Sequence, residues 1–378
     1  MQQKRWLALV ALLLTFGLVA AACGDDADDS SSGDSTTTTA ADEGGSGGLS
    51  GMKGTTPLVK LGDDFKDRLK SIDPNLSDFN YAAESYDATI VIALAAQEAK
   101  TDGIGYAEKI NGLTREGDKC EDFASCNELI SAGKDVDYDG QSGPLEFSGN
   151  GEPTKASYGV LEFGSTGCDA VKTESGAKLK ECIDDSKTTY VTADAPKSAA
   201  VPQVPVEGDR AGDGVLKIGT LLPKTGSLAF LGPPEFAGVQ LAIKDINDAG
   251  GVLGKPVEYV EGDSGDTDNK VAPTTVATLL GENVDAIIGA ASSSVTLSVI
   301  DTVTTAGVVM FSPANTSKKL STYADKGLYF RDAPSDILQG QVLADQIIKD
   351  GKSNVYILAL NDDYGTGLAD DLTAGLEG

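Results

Sequence analysis

The chain has 378 residues, with 30 basic and 58 acidic side chains and a formal net charge of −28. So acidic a balance repels phosphate backbones and anionic headgroups and excludes nucleic-acid binding. The sequence holds no histidine, which removes His-based triads, imidazole metal sites and imidazole pH switches. Its 40% apolar content and 45 glycines fit a globular α/β protein with many turns.

At the N-terminus, Lys4 and Arg5 precede an apolar run over residues 6–22, short for a membrane span. Ala20, Ala21 and Ala22 then lead into Cys23-Gly24. This pattern resembles a bacterial lipoprotein signal. The resemblance implies a signal peptide over 1–22, lipidation of the Cys23 thiol, and anchorage on the outer face of the cytoplasmic membrane. An ordinary secretory signal with a chance cysteine is the alternative. Residues 23–50 are Asp, Ser, Thr and Gly with little to bury, and read as a disordered acidic tether.

Over 51–198, the apolar spacing predicts a short amphipathic helix at 65–72 and further helices at 106–113 and 123–130. A longer helix at 81–99 is apolar nearly all round at Ile90, Val91, Ile92 and Leu94, so it should be buried. Residues 144–147 and 157–163 are expected to form a hairpin around Gly149-Asn150-Gly151. Outside the cytoplasm, the close cysteine pairs favour disulfides Cys120–Cys126 and Cys168–Cys182 over metal ligation, with buried free thiols as the alternative. Asp135, Asp137, Asp139, Gly140 and Glu146 match an EF-hand calcium spacing. However, Ser142 and Pro144 break the loop pattern and a strand follows. A solvated Asp/Gly turn is the preferred reading, and neither a metal nor a cofactor is expected. Residues 199–212, rich in Pro, Gly and charge, read as a linker.

From 213 the pattern changes to strands alternating with helices. Strands are predicted at 215–222, 257–260, 286–289, 308–312, 328–331 and 355–360. Helices are predicted from Pro233 to the Gly250-Gly251 stop, at 271–280, 295–303 and 337–348, and at the chain's end. Such alternation means βαβ units on a parallel sheet. Open parallel sheets bind ligands beyond the carboxyl ends of their strands. Three loops there stand out, 225–232, 289–294 and 312–317. The second and third carry hydroxyls suited to a carboxylate or phosphate, with plain helix capping by Ser293 or Ser294 as the alternative. The 225–232 loop lacks GxGxxG, so a dinucleotide site is not indicated, and no GxSxG elbow between a strand and a helix is present. Asp263, Asp266 and Asp268 read as solvated loop residues.

Taken together, 215–223, the helix with Gly238, Ile246, Asn247 and Gly250-Gly251, 286–289 with its serines, Phe330-Arg331 with Gln339-Gly340, and Asp362-Asp363-Tyr364-Gly365 resemble an ABC-transporter substrate-binding protein of the branched-chain amino-acid type. Residues 81–88, with 137–140 and 142–144, resemble the same family's C-terminal part. The order is reversed from the family's, and a middle stretch of the second lobe has no counterpart. A permuted and trimmed protein, a recombined remnant and a wrongly assembled reading frame are the competing explanations. The resemblance implies a periplasmic-binding-protein-like α/β fold of two Rossmann-like lobes with parallel sheets, the second incomplete. It implies a monomer without catalysis that closes on an amino-acid-like ligand and serves a membrane ABC permease. A surface sensor or interaction module on the same fold, or a non-binding remnant, is the alternative. The ligand's carboxylate would sit on Ser293, near Ala314 and Thr316, with Tyr364 on the other lobe's edge and Tyr81 near the cleft.

Overall fold

In a computed structural model, residues 50–164, 183–194 and 204–378 are described. The signal, Cys23, the tether, the first part of the linker and the Cys168–Cys182 pair lie outside them. Five short apolar runs of the second half, β7 (Lys217–Leu222), β8 (Glu258–Asp263), β9 (Ala286–Gly289), β10 (Val309–Ser312) and β11 (Tyr329–Arg331), form one sheet in the order β11-β10-β9-β7-β8. All four pairings are parallel. A sheet of this kind is buried on both faces, which is why β9 and β10 are apolar without alternation.

On one face lie α5 (Ala272–Gly281) and α6 (Ser293–Thr305), joined in a cluster with Ile287 and Met310. The other face carries α4 (Gly232–Asp248) and a helix from the first half of the chain, α2 (Ala82–Ala99). Residues 82–96 of α2 are all buried, as its all-round apolar middle requires. The two helices meet at Gly238, where a Cβ would stand 2.2 Å from the Ala82 carbonyl oxygen. Helix α1 (Asp63–Ile72) and α3 (Phe123–Ser131) pack around them. One core therefore runs from Phe65 to Phe330, drawing on both halves of the chain.

The remaining strands form two small sheets. β1 (Lys53–Pro57), β5 (Lys155–Glu162) and β6 (Thr189–Asp194) pair antiparallel, and β2 (Asp118–Cys120), β3 (Val136–Gly140) and β4 (Gly143–Pro144) form the other. Helix α7 (Asp336–Lys349) packs on β1, β5 and β6, and α8 (Asp363–Glu377) packs on α7.

Four expectations change. The predicted hairpin is not formed: β5 pairs with β1 and β6, and only a bridge from Phe147 to Pro153 spans the Gly149–Gly151 turn. The 106–113 helix is a short 3-10 turn, Ile104–Lys109. Over 135–146 the strands Val136–Gly140 and Gly143–Pro144 flank a turn at 141–142, and Lys119 pairs with both Asp137 and Asp139 at 2.8 Å. Residues 355–360 are not a strand: no strand among the described residues pairs with them, and Tyr356 and Leu358 are fully exposed.

Two anchors tie the halves together. The linker's second part is docked: Asp102 accepts from the backbone N–H groups of Asp213, Gly214 and Val215, and Arg210 pairs with Asp285 at 2.6 Å. Burial pushes the Asp102 carboxyl up, but those N–H donors outweigh it and hold it below its usual range. The second anchor is Arg331, fully buried at the end of β11. It donates Nε to Glu152 at 3.0 Å, Nη1 to the Ser317 carbonyl at 3.0 Å and Nη2 to the Ser321 hydroxyl at 2.7 Å. Removing one partner of such a buried pair costs about 3–5 kcal/mol. Cys120 and Cys126 form the expected disulfide.

Candidate ligand-binding site

The strand order reverses between β7 and β9, so the crevice beyond their carboxyl ends is where this architecture receives ligands. The loops leaving β7, β9 and β10 are the three singled out from sequence.

The loop after β9 depends on Gly289, whose φ of +128° and 2.1 Å Cβ approach to the Leu221 carbonyl exclude a side chain. Ser292 caps α6 by accepting from the Val295 N–H, so the capping role falls to Ser292 and leaves Ser293 and Ser294 for other partners. Asn315 stitches the second loop to the third, donating to the Ala290 and Ala291 carbonyls at 2.9 Å each. Ser312 Oγ donates to the Ala290 carbonyl at 2.7 Å and accepts from the Asn315 N–H at 3.0 Å. The structure thus brings Ser293, Ala314 and Thr316 together, all buried.

These groups are engaged by the chain itself. Ser293 Oγ accepts from the Ser317 N–H at 3.3 Å, and Ser294 Oγ from the Asp363 N–H at 2.9 Å. The Asp336 N–H donates to the Thr316 carbonyl at 2.7 Å. Burial lifts the Asp336 carboxyl to about 6, against the lowering pull of Thr316 and Arg331. Lys319 pairs with Asp363, and Lys318 with Asp371 at 2.7 Å. The first turns of α7 and α8 therefore cover the hydroxyl-bearing loops.

Tyr364, in the first turn of α8, is part-exposed and bonds Gln339. Tyr81 precedes α2 in a left-handed conformation, φ +61°, with its phenol bonded to Thr56. Burial raises the Tyr81 hydroxyl well above its ordinary value, and Tyr364, Glu84 and Glu235 add to the rise. Tyr81 and Tyr364 are thus electrostatic neighbours at the edge of the covered loops.

Beside Tyr81 opens a cavity of about 590 Å³, within the range of small-molecule sites. Its walls come from residues 56–61, 77–81, Lys66, Leu161, Ile183, Thr188 and Tyr190, with Phe230 of the first loop and Glu84 of α2. The loop carrying Phe230 is shaped by Asp263, which accepts from the Lys224 and Thr225 N–H groups, and by Asp266, which accepts from the Ser227 N–H. These two carboxylates organise the loop rather than being simply solvated.

Two acids were missed from sequence. Glu84 and Glu235 sit in the first turns of α2 and α4, and both are buried. Burial raises the Glu84 carboxyl to about 8, with Asp87 adding to it and a bond to its own backbone opposing. The Glu235 carboxyl is raised well above its ordinary value by burial and by Glu84, and neither of its oxygens has a hydrogen-bond partner among the described residues. The available signal was an acid in the first turn of each helix, Glu84 in α2 and Glu235 in α4.

Residues 215–377 match the family model for the periplasmic binding protein, and residues 26–166 match that for the receptor family ligand binding region. Leu/Ile/Val-binding protein homolog 3 of Brucella melitensis is 29% identical over 163 residues, 43% of this chain and 44% of that one. Leu/Ile/Val-binding protein BraC3 of Rhizobium johnstonii is 31% identical over 166 residues, again 43% and 44%. Among solved structures, a leucine binding protein LivK from Thermotoga maritima shares 28% identity over 43% of this chain and 46% of that one, with a TM-score of 0.39. The chain spans less than half the length of these relatives, all of which are named as binding proteins. Residues 215–377, 43% of the chain by the extent of the match to its relatives, are thus similar to periplasmic binding proteins.

Proposed function

We propose that the chain is the extracytoplasmic solute-binding component of an ABC importer, anchored through a lipid on Cys23 and acting by binding rather than catalysis. The ligand is a small amino acid or related carboxylate, with leucine, isoleucine and valine as defaults taken from the names of the relatives. The observation that carries this reading is the meeting of loops 289–294 and 312–317 beside the strand-order reversal, with Ser293, Ala314 and Thr316 on one surface and Tyr81 and Tyr364 at its edge. Binding would part the first turns of α7 and α8 from these loops, freeing hydroxyls and N–H groups for the carboxylate. The segment at 51–198 would be the family's C-terminal part, and that at 213–378 its N-terminal lobe and the start of its second lobe, in reversed order.

A second reading, a rearranged body that folds without binding, is favoured by the unpartnered residues 355–360 and by the covered loops. A thermal-shift panel of amino acids separates the two. Trp6 is the only tryptophan and lies outside the described residues, so a dye supplies the signal. A ligand at a hundredfold its Kd should stabilise by about 2.7 kcal/mol. One amino acid that moves the melt while its neighbours do not supports a receptor. A cooperative melt that no amino acid moves rejects it.

A further inference from the structure

Residues 351–360 are exposed without a break, although the run from Val355 to Leu360 is apolar. Their exposure alternates with the period of an extended chain. Tyr356 and Leu358 are fully exposed and Leu360 is 72% exposed, whereas Val355 and Ile357 are 39% and 40% exposed. Among the described residues, no backbone group of residues 353–361 makes a backbone hydrogen bond. The segment thus presents unpaired donors and acceptors beside an apolar face, which is the form of an edge that another chain completes.

The charges at its two ends select the occupant. Asp350 pairs with Lys53 and Asp363 with Lys319. Lys352 and Asp362, which bound the segment, make no salt bridge among the described residues, and Asp362 Oδ1 accepts from the Gly365 N–H at 2.7 Å. A cation at the start and an anion at the end make the segment the complement of itself run backwards. We propose that its occupant is a second copy of this chain, paired antiparallel along residues 353–361 about a twofold axis at Ile357. In that register Lys352 of each copy faces Asp362 of the other, and Tyr356 faces Leu358 on either side of the axis. All of these residues have even numbers and share the exposed face. A shift by one residue would turn the two apolar rows to opposite faces, and a shift by two would lose both Lys–Asp contacts. Parallel pairing in register would set Lys352 against Lys352 and Asp362 against Asp362, like against like. The inference does not rest on the reading of the chain as a solute binder, and it departs from the monomer that the family resemblance implies.

The test is oxidative cross-linking of the full chain carrying Ile357→Cys or Leu360→Cys, read as disulfide-linked dimer on a non-reducing gel against the parent. Directly opposite residues of an antiparallel pair have Cα atoms ~4.5–5.5 Å apart, within disulfide reach. The two Leu360 positions would lie ~20 Å apart, six residues along the ladder. The expected result is that Ile357→Cys cross-links several-fold faster than Leu360→Cys, although Leu360 is the more exposed of the two. Adding Lys352→Glu to Ile357→Cys should slow the reaction several-fold. Melts that match the parent's show that the variants fold. Equal or faster cross-linking by Leu360→Cys would overturn the inference, in favour of parallel pairing or chance collision. Neither variant exceeding the parent would also overturn it, because the segment is then covered from within its own chain. An Ile357→Cys rate indifferent to Lys352→Glu would overturn the register.

Discussion

Glu84 governs the pH response at the level of single residues. Its carboxyl rises from 4.5 to about 8 on folding because burial penalises the charged form. Below pH 4.5 both states carry the proton and the folded chain keeps the whole benefit. As pH climbs toward 8 only the unfolded state gives its proton up, so stability falls across that window. Asp285, Asp325 and Asp336, each raised to about 6 chiefly by burial, steepen the acid side of the decline. Urea titrations at pH 5, 6.5 and 8 should show a steadily lower midpoint. Glu84→Gln should flatten the fall between pH 6.5 and 8 without removing it, since Glu235 and Asp332 are also raised well above their ordinary values. An unchanged slope in the variant would remove Glu84 from this account. None of this could be read from the letters alone: an acid in a first turn looks like ordinary helix chemistry, and only packing reveals that two such turns face one another.

Among the elements, the α2–α4 contact has the narrowest tolerance. Any side chain at Gly238 meets the Ala82 backbone, and backbone gives way less than a flexible side chain would. Gly238→Val should part the two helices and cost about 1–3 kcal/mol, read as a lower urea midpoint with an unchanged slope. A variant as stable as the parent would mean that the helices slide apart freely. Most elements were legible where their own residues decide them: α2 from its apolar run, the order of α4 to α6 from helical spacing between short strands, and the loops from small and hydroxyl residues beyond strand ends. Partners distant in sequence were not legible. The β5 run looked like half of a local hairpin, yet its neighbours are β1, about a hundred residues earlier, and β6. Residues 355–360 have the composition of a buried strand, but composition cannot supply the strands beside it. Of the candidate site, the loops carrying Ser293, Ala314 and Thr316 were legible as hydroxyl-bearing strand ends, whereas the roles of these residues, and Tyr364 and Tyr81 altogether, were readable only through a family resemblance. That resemblance gave no sign that α8 would cover the first three.

At the scale of the whole molecule, one side bears an exposed apolar row. Tyr356, Leu358 and Leu360 stand exposed on a segment with no strand partner among the described residues, which is a template for association. Light scattering should find a mass that rises with concentration, and Leu358→Lys should lower it while leaving the melt unchanged. Concentration-independent mass in the parent would show the row to be harmless. The other side is closed by interleaved halves, and this bears on synthesis. Helix α2 is complete at Ala99, whereas β11, the last strand of the sheet that it covers, ends at Arg331. At ~5–20 residues per second, the ribosome leaves Ile90, Val91, Ile92 and Leu94 waiting roughly 10–50 s for the rest of their core. The nascent chain therefore carries a long-lived greasy helix through most of its own translation. In this protein the order in which the halves are made, more than their final packing, decides how long the chain must be kept from sticking to others.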